Sequence, residues 1–361
     1  VSGLGPRLAA RIASAGPITV HDYMQACLAD PEYGYYRDGV PLGAAGDFTT
    51  APEISQAFGE MLGLWLAERW QVLGAPARAC LVELGPGRGT LMDDALRATA
   101  KALPAFAAAA KLHLVEISRT LRAVQGERLA RAAPAFHEFF DDVPDDAPLF
   151  LVANEFFDAL PVRQFVRRGP AWRERVVTHD GSAFAFADGD AVAAPPLSRA
   201  QIADAPDGAV VEVCPAALDI VALIARRLAK TGGAAIFIDY GTARSGWGDT
   251  LQAVRRHAKA GVFDTPGECD LTAHVDFPRL ADAARTAGVA AFGPVGQGDF
   301  LRRIGIHARL ALLARGADPR TARNIADASR RLLDEREMGT LFKVVALQAP
   351  AAAGAPPGFE G

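Results

Sequence analysis

Val82-Glu83-Leu84-Gly85-Pro86-Gly87-Arg88-Gly89-Thr90 joins a short apolar run to a helix-forming one. Glycines at alternate positions let the backbone turn tightly and approach a ligand closely, and the helix start behind them offers unpaired N–H groups. The run before the loop, Cys80–Leu84, reads as a buried strand, and 90–102 as a helix. A P-loop would end in Gly-Lys-Ser/Thr, but this loop has no lysine. A dinucleotide fingerprint is G-x-G-x-x-G, whereas this loop is G-x-G-x-G. Glu116, at the end of the next strand, lies 27 residues past Gly89, longer than the usual spacing of about 20. A carboxylate there can accept both ribose hydroxyls of an adenosine. Glu83 is an acid inside an otherwise apolar strand, an uncommon place for charge in a parallel sheet. It suits a sulfonium and repels a pyrophosphate. The loop therefore favours S-adenosylmethionine over NAD, with Gly85, Gly87, Gly89, Glu83 and Glu116 as cofactor residues. Glu138 with Phe139, or Asp141 or Asp142 as alternatives, could reach an adenine amino group.

Outward from the loop, strands and helices alternate. Strands are expected at 111–116, 135–139 and 148–154, with a helix at 118–131 between the first two. A buried strand at 234–239 follows a helix at 215–229, a helix covers 276–287, and the last strands are 289–295 and 342–347. Short βα units in series predict a parallel, doubly wound sheet. The rhythm breaks at 160–213, where 162–166, 174–178 and 182–187 alternate like antiparallel strands between Gly/Pro/Asp turns. Two further helices are expected at 299–315 and 319–335. Thr50-Ala-Pro-Glu53 reads as a capped helix start with a reciprocal capping Glu, before a helix at 54–73. Within the first fifty residues, 18–28 is the clearest helical piece. The expected division is an N-terminal arm and helix over the cofactor site (1–76), a core (77–159, 214–295 and 340–348), a β insertion (160–213), a helical addition (296–339) and a flexible tail (349–361).

Composition sets the outer limits. The chain has 361 residues, 50% of them hydrophobic and 22% charged, with a formal net charge of −4. Half-apolar composition supports a sizeable core and excludes global disorder. The near-neutral balance argues against a nucleic-acid coat, and no run approaches the roughly 18 apolar residues of a membrane span. No secretory signal is apparent. Four scattered cysteines without a CxxC pair point to a reducing compartment and no disulfide framework. No HExxH or clustered His/Cys spacing suggests a metal. The preference for Arg over Lys suggests a GC-rich bacterium, with the cytoplasm as the expected location.

Glu83-Leu-Gly-Pro-Gly-Arg-Gly-Thr-Leu91 resembles motif I of class I S-adenosylmethionine-dependent methyltransferases. Three more segments narrow the likeness: Gly46-Asp-Phe-Thr-Thr-Ala-Pro-Glu-Ile-Ser-Gln56, Asn154-Glu-Phe-Phe-Asp-Ala-Leu-Pro161 and Asp270-Leu-Thr-Ala-His-Val-Asp-Phe277. In this order the four resemble the MidA-like family, across 18–347. The resemblance implies a Rossmann-like, seven-stranded, mostly parallel α/β sheet and methyl transfer from S-adenosyl-L-methionine to a protein. The family's mitochondrial member, in the matrix, is a complex I assembly factor. It dimethylates symmetrically an arginine of a quinone-side complex I subunit, so a protein partner of that kind is implied.

A guanidinium, with a pKa above about 12, is a poor nucleophile unless carboxylates grip it and localise its charge. Asn154-Glu155-Phe156-Phe157-Asp158 ends the strand where a class I enzyme places its acceptor groups. Glu155 is expected to hold the guanidinium bidentately and Asp158 to assist or accept a proton, the two sharing one face of a turn. Asn154 would touch the cofactor's amino-acid end or the acceptor nitrogen. Asp239-Tyr240-Gly241 ranks second as cleft lining, His274 with Asp276 could pair as acid and base, and His257 falls in the same region. Tyr33, Tyr35 and Tyr36 with Phe48 form either a lid or packing for the arm. Three other readings stay open: a small-molecule methyltransferase, an NAD-dependent oxidoreductase, and a non-catalytic complex I assembly factor. Oligomeric state is not legible.

Overall fold

Seven strands carry the alternation read from the sequence. A computed structural model, which describes residues 3–38, 50–193, 195–202, 204–255, 258–349 and 354–360, sets them side by side. In chain order they are β1 (Ala79–Leu84), β2 (Ala110–Val115), β3 (Ala135–His137), β4 (Leu149–Asn154), β5 (Gly233–Thr242), β6 (Ala290–Gly296) and β7 (Phe342–Ala349). Their order across the sheet is β3-β2-β1-β4-β5-β7-β6. Neighbours from β3 through β5 pair in parallel, and β7 runs antiparallel to both β5 and β6. This is the class I methyltransferase arrangement. The order reverses between β1 and β4, and in open α/β sheets the crevice beyond such a switch point is where ligands bind. Every residue of β1 and β4 is buried, as expected for strands covered on both faces.

The chain forms two units, and the sheet lies in the one comprising Thr49–Phe156, Ile220–Ala243 and Phe277–Gly361. The helix Gln56–Val72 packs closely on the helix Thr90–Ala102 that follows the glycine loop. A Cβ on Gly59 would stand 2.6 Å from Leu91 O, and one on Gly63 2.7 Å from the Ala95 Cα and Cβ. Glu60, between these glycines, is buried and accepts from Arg97 at 2.7 Å and from Arg309 Nη2 at 2.8 Å. Burial alone would raise its pKa, but the two guanidiniums outweigh it and hold it below the usual range. The expected helix 299–315 is split at Gly305, which takes φ 94°, into Gln297–Arg303 and Ile306–Ala314. Residues 354–360 are packed, contrary to the flexible tail that their Ala/Pro/Gly content suggests. Trp65 Nε1 donates to Pro357 O at 2.9 Å, and the Phe359 ring lies 5.4 Å from that of Phe300.

The other unit comprises Val1–Phe48, Phe157–Asp219 and Arg244–Asp276. Here the expected antiparallel insertion is present. Ala171–His179 lies between Arg163–Arg168 and Ile18–Thr19 and also pairs with Phe184–Val192, while Val210–Val213 pairs with Arg163–Arg168. The segment read as helix from residue 18 spends Ile18–Thr19 on that sheet, and its helix is Val20–Ala29. A three-stranded sheet, Ala258–Ala260, Gln252–Arg255 and Asp270–Thr272, occupies a stretch where the sequence suggests no strand. Strands of three or four residues are too short for alternation to show.

Candidate functional site

At the switch point, Gly85, Gly87 and Gly89 all adopt left-handed backbone, with φ of 59°, 53° and 76°. L-residues with a Cβ enter this region only at a cost, so these three positions need glycine. Gly85 N–H donates to Val115 O at 3.0 Å, tying the loop to the end of β2. Gly89 is the N-cap of the helix Thr90–Ala102.

Glu83 faces Leu114 on one neighbouring strand and Val152 on the other. It is 2% exposed, and its Oε2 is buried with no hydrogen-bond partner. Burial first, and the Glu116 carboxylate second, raise its pKa to about 8. Glu116 is better provided for. Its Oε1 accepts from Ser118 N–H at 2.8 Å and its Oε2 from Gln125 Nε2 at 3.2 Å. Burial still pushes its pKa up against those donors. The same Gln125 nitrogen donates to Gly87 O at 2.7 Å, so one amide fixes the loop and the acid together. Beside Glu116, Ile117 is 52% exposed, and Phe139, just past β3, is 63% exposed. Large apolar side chains left open next to an oriented carboxylate suit the faces of a purine. Glu138 is exposed between β3 and Phe139.

The segment Ala51–Ile54 is a helical turn with Pro52 in its first turn, as the sequence suggests, but the expected side-chain cap is absent. Glu53 does not reach back to Thr50; its Oε1 accepts from Thr90 Oγ1 at 2.6 Å. At the other end, Ala51 N–H donates to Glu155 Oε1 at 3.1 Å. One turn is thus fastened both to the helix behind the glycine loop and to the end of β4.

Asn154 and Glu155 close β4. Asn154 Nδ2 donates to Glu155 Oε1 at 3.1 Å, while Asn154 Oδ1 is buried without a partner. Glu155 has a left-handed backbone, φ 51°, and no helix follows it. The spacing of three therefore does not make Glu155 and Asp158 helical neighbours, contrary to the expectation of a shared turn. Glu155 belongs to the unit with the sheet and Asp158 to the other. Asp239, fully buried within β5, accepts from Phe156 N–H at 3.1 Å and Tyr240 N–H at 2.9 Å. These contacts hold the turn after β4.

In the second unit Asp158 is buried, and its carbonyl accepts from Ala273 N–H at 3.0 Å. Tyr36 Oη donates to Asp270 Oδ1 at 3.0 Å, and burial, then the Asp270 and Asp158 charges, raise the phenol's pKa. Tyr33, Tyr35 and Tyr36 pack against this unit's apolar core. Phe48 and His257 lie outside the described residues. Asp276, expected as a partner for His274, accepts from Ser245 Oγ at 2.7 Å and from Gln201 Nε2 at 3.3 Å. Among the described residues no group of three or more His, Cys, Asp or Glu could hold a metal, and no helix is long and apolar enough to cross a membrane.

Sequence reasoning did not find Gln125 or Ile117, whereas Phe139 was singled out beside Glu138. Gln125 sits in a helix whose other residues are unremarkable, and only the folded chain brings it to Gly87 and Glu116. Ile117 could have been found, since it directly follows Glu116, an acid already singled out.

These residues fit an adenosyl cofactor with a positive charge: a loop that admits close approach, an oriented carboxylate flanked by open apolar faces, and a buried carboxyl oxygen lacking a partner. Residues 61–295 match a family described as S-adenosyl-L-methionine-dependent methyltransferases. Relatives in Danio rerio and Mus musculus, both named protein arginine methyltransferase NDUFAF7, mitochondrial, are 36% and 37% identical. The matches cover 93% of this chain and 84% and 82% of the relatives. A Burkholderia thailandensis protein solved bound to S-adenosyl-homocysteine superposes with a TM-score of 0.80 at 33% identity, covering 99% of this chain and 92% of that one.

Proposed function

Starting from the chain's membership of the MidA-like family of S-adenosyl-L-methionine-dependent methyltransferases, we propose that it methylates an arginine side chain of a protein. The specific reaction proposed is symmetric dimethylation of a quinone-side complex I subunit or its counterpart in the bacterial cytoplasm. The observation that carries this reading is the similarity, over more than nine-tenths of the chain, to relatives named protein arginine methyltransferase. The four cysteines, all free, support a reducing compartment.

The cofactor is S-adenosyl-L-methionine, which when bound supplies a methyl carbon made electrophilic by the sulfonium. Gly85, Gly87 and Gly89 would give its amino-acid end and ribose room, Glu116 would accept from the ribose hydroxyls, and Ile117 and Phe139 would cover the adenine. Glu138 would take the adenine amino group. Glu83 would answer the cofactor's positive charge.

For the acceptor, Glu155 would hold the guanidinium and lower the delocalisation that keeps its nitrogens inert. Its Oε1 already receives the Ala51 and Asn154 N–H groups, so the same carboxylate would both anchor the 51–54 turn and grip the substrate. Asn154 would orient the acceptor nitrogen. Methylarginine mass spectrometry of a wild-type and a deletion strain tests the reading, together with transfer of labelled methyl groups to lysate protein. Symmetric dimethylarginine lost from a complex I subunit in the deletion strain is the expected result. Label confined to small molecules would instead give a metabolite methyltransferase.

A further inference from the structure

Two carboxyl groups share the buried ground at the carboxyl ends of β1 and β2, and they are unequally served. Both oxygens of Glu116 receive N–H donors from Ser118 and Gln125. Glu83 Oε2 receives none, and its strand neighbours Leu114 and Val152 are apolar. Burial and the Glu116 charge both disfavour the ionised form of Glu83. Two nearby carboxylates without a cation between them do not both ionise cheaply. The one with donors keeps the charge and the one without keeps the proton.

We propose that Glu83 lets the site distinguish a sulfonium from a thioether: it is neutral in the cofactor-free protein, ionises when the methyl donor binds, and is neutral again with the demethylated product. The step involves no redox chemistry. The Glu83 O–H bond breaks, the proton passes to solvent, and the carboxylate left behind faces the added positive charge. Donor and product differ at the sulfur by one unit of charge, so a group that ionises for one and not the other binds them with different affinity. The carboxyl's elevated pKa of about 8 agrees with a proton held at neutral pH. Affinity for the donor then rises with pH up to that value, by at most about tenfold per pH unit. The proposal rests on the cofactor and not on the arginine acceptor, so its tests contain no acceptor, and failure to find methylarginine would leave them untouched.

Calorimetric titrations with S-adenosylmethionine and S-adenosylhomocysteine, in two buffers of different ionisation enthalpy near pH 7, read the protons released. The wild-type protein should release a large fraction of a proton with the donor and little with the product. Glu83→Gln, which keeps the side chain's shape, should abolish that difference and weaken donor binding roughly tenfold while moving product binding less than about twofold. Comparing the two proteins also subtracts the titration of the donor's own α-amino group. Should Glu83→Gln fail to fold, infrared difference spectra of the wild-type protein decide alone. Loss of the protonated-carboxyl C=O stretch on adding donor but not product is expected. Equal proton release for both ligands, an unchanged affinity ratio in a folded Glu83→Gln, or loss of the band with both ligands or neither would overturn the proposal.

Discussion

Gly85→Ala puts the glycine loop to a quantitative test. Gly85 has φ 59°, where a residue with a Cβ costs roughly 1–2 kcal/mol. The new Cβ would also stand 2.9 Å from Phe156 Cδ2, well inside the contact optimum of about 3.5–4.0 Å. The Phe156 backbone cannot retreat freely, because its N–H is held by the buried Asp239 carboxylate, so the ring itself must turn aside. Overpacking of this kind costs typically 1–3 kcal/mol, giving a total of roughly 2–5 kcal/mol. At about 2–4 °C per kcal/mol, Tm should fall by roughly 4–20 °C.

Gly74→Ala is the matching control in the same unit. Its φ is 92° and no atom lies within 4 Å of the added Cβ, so only the backbone cost of roughly 1–2 kcal/mol remains. Denaturant unfolding of both variants isolates the Phe156 contact as the difference, and calorimetry reads cofactor binding. Gly85→Ala should lose at least about tenfold in S-adenosylmethionine affinity, or about 1.4 kcal/mol, while Gly74→Ala should keep it. Equal destabilisation by the two substitutions, with wild-type affinity in both, would refute the packing of Phe156 against the loop.

Glu155→Gln should cut methyl transfer by roughly a hundredfold or more while leaving cofactor affinity within a few fold, because the amide oxygen can still accept the Ala51 N–H; equal loss of both in kinetics and calorimetry would assign Glu155 to cofactor binding. Gln125→Ala removes the donor shared by Gly87 O and Glu116 and should weaken cofactor binding about tenfold, as expected for one charge-assisted hydrogen bond; an unchanged Kd would mean that Ser118 N–H alone orients the acid. Burial first, and the neighbouring His137 ring second, lower the pKa of His113 from 6.5 to about 4. The folded state therefore binds fewer protons than the unfolded one between those values. Its contribution is whole above pH 6.5 and is lost as pH falls toward 4, on the order of 3 kcal/mol in urea unfolding. A wild-type profile flat across that window would show His113 to be hydrated.

The sheet was legible because its strands obey a simple rule. β4 and the centre of β5 are apolar runs, and β1 is one broken only by Glu83, each bounded by Gly, Pro or polar residues, the pattern of strands buried on both faces. The N-terminal unit was harder to read for the opposite reason. Ile18–Thr19 belongs to a sheet whose main strand lies at Ala171–His179, and nothing local distinguishes two such residues from the helix that follows. The packed end of the chain escaped notice similarly: Phe359 makes sense only against Phe300. Long-range pairing supplies the information in each case, and windows of local periodicity do not contain it.

Within the site, residue types were readable but their division of labour was not. Acids at 83, 116, 155 and 239 stand out in sequence by charge in apolar surroundings. What separates them is who donates to them, and that depends on chain folded in from elsewhere. Asp239 is occupied by the amides of Phe156 and Tyr240, Glu116 by Ser118 and Gln125, and Glu83 Oε2 by no partner. Glu155 adds a feature that composition never reveals, a non-glycine residue at φ 51°. Such a conformation costs of order 1–3 kcal/mol and persists only where surrounding contacts over-determine it. Here they do: Ala51 and Asn154 hold the side chain, and Asp239 holds the next amide. Glycine at 155 would relieve the strain and asparagine would tolerate it, yet either would shorten or remove the carboxylate that reaches Ala51. The strained backbone at this position is therefore compatible with selection for the long acidic side chain rather than for the turn itself, and that is the physical ground for placing substrate chemistry at Glu155.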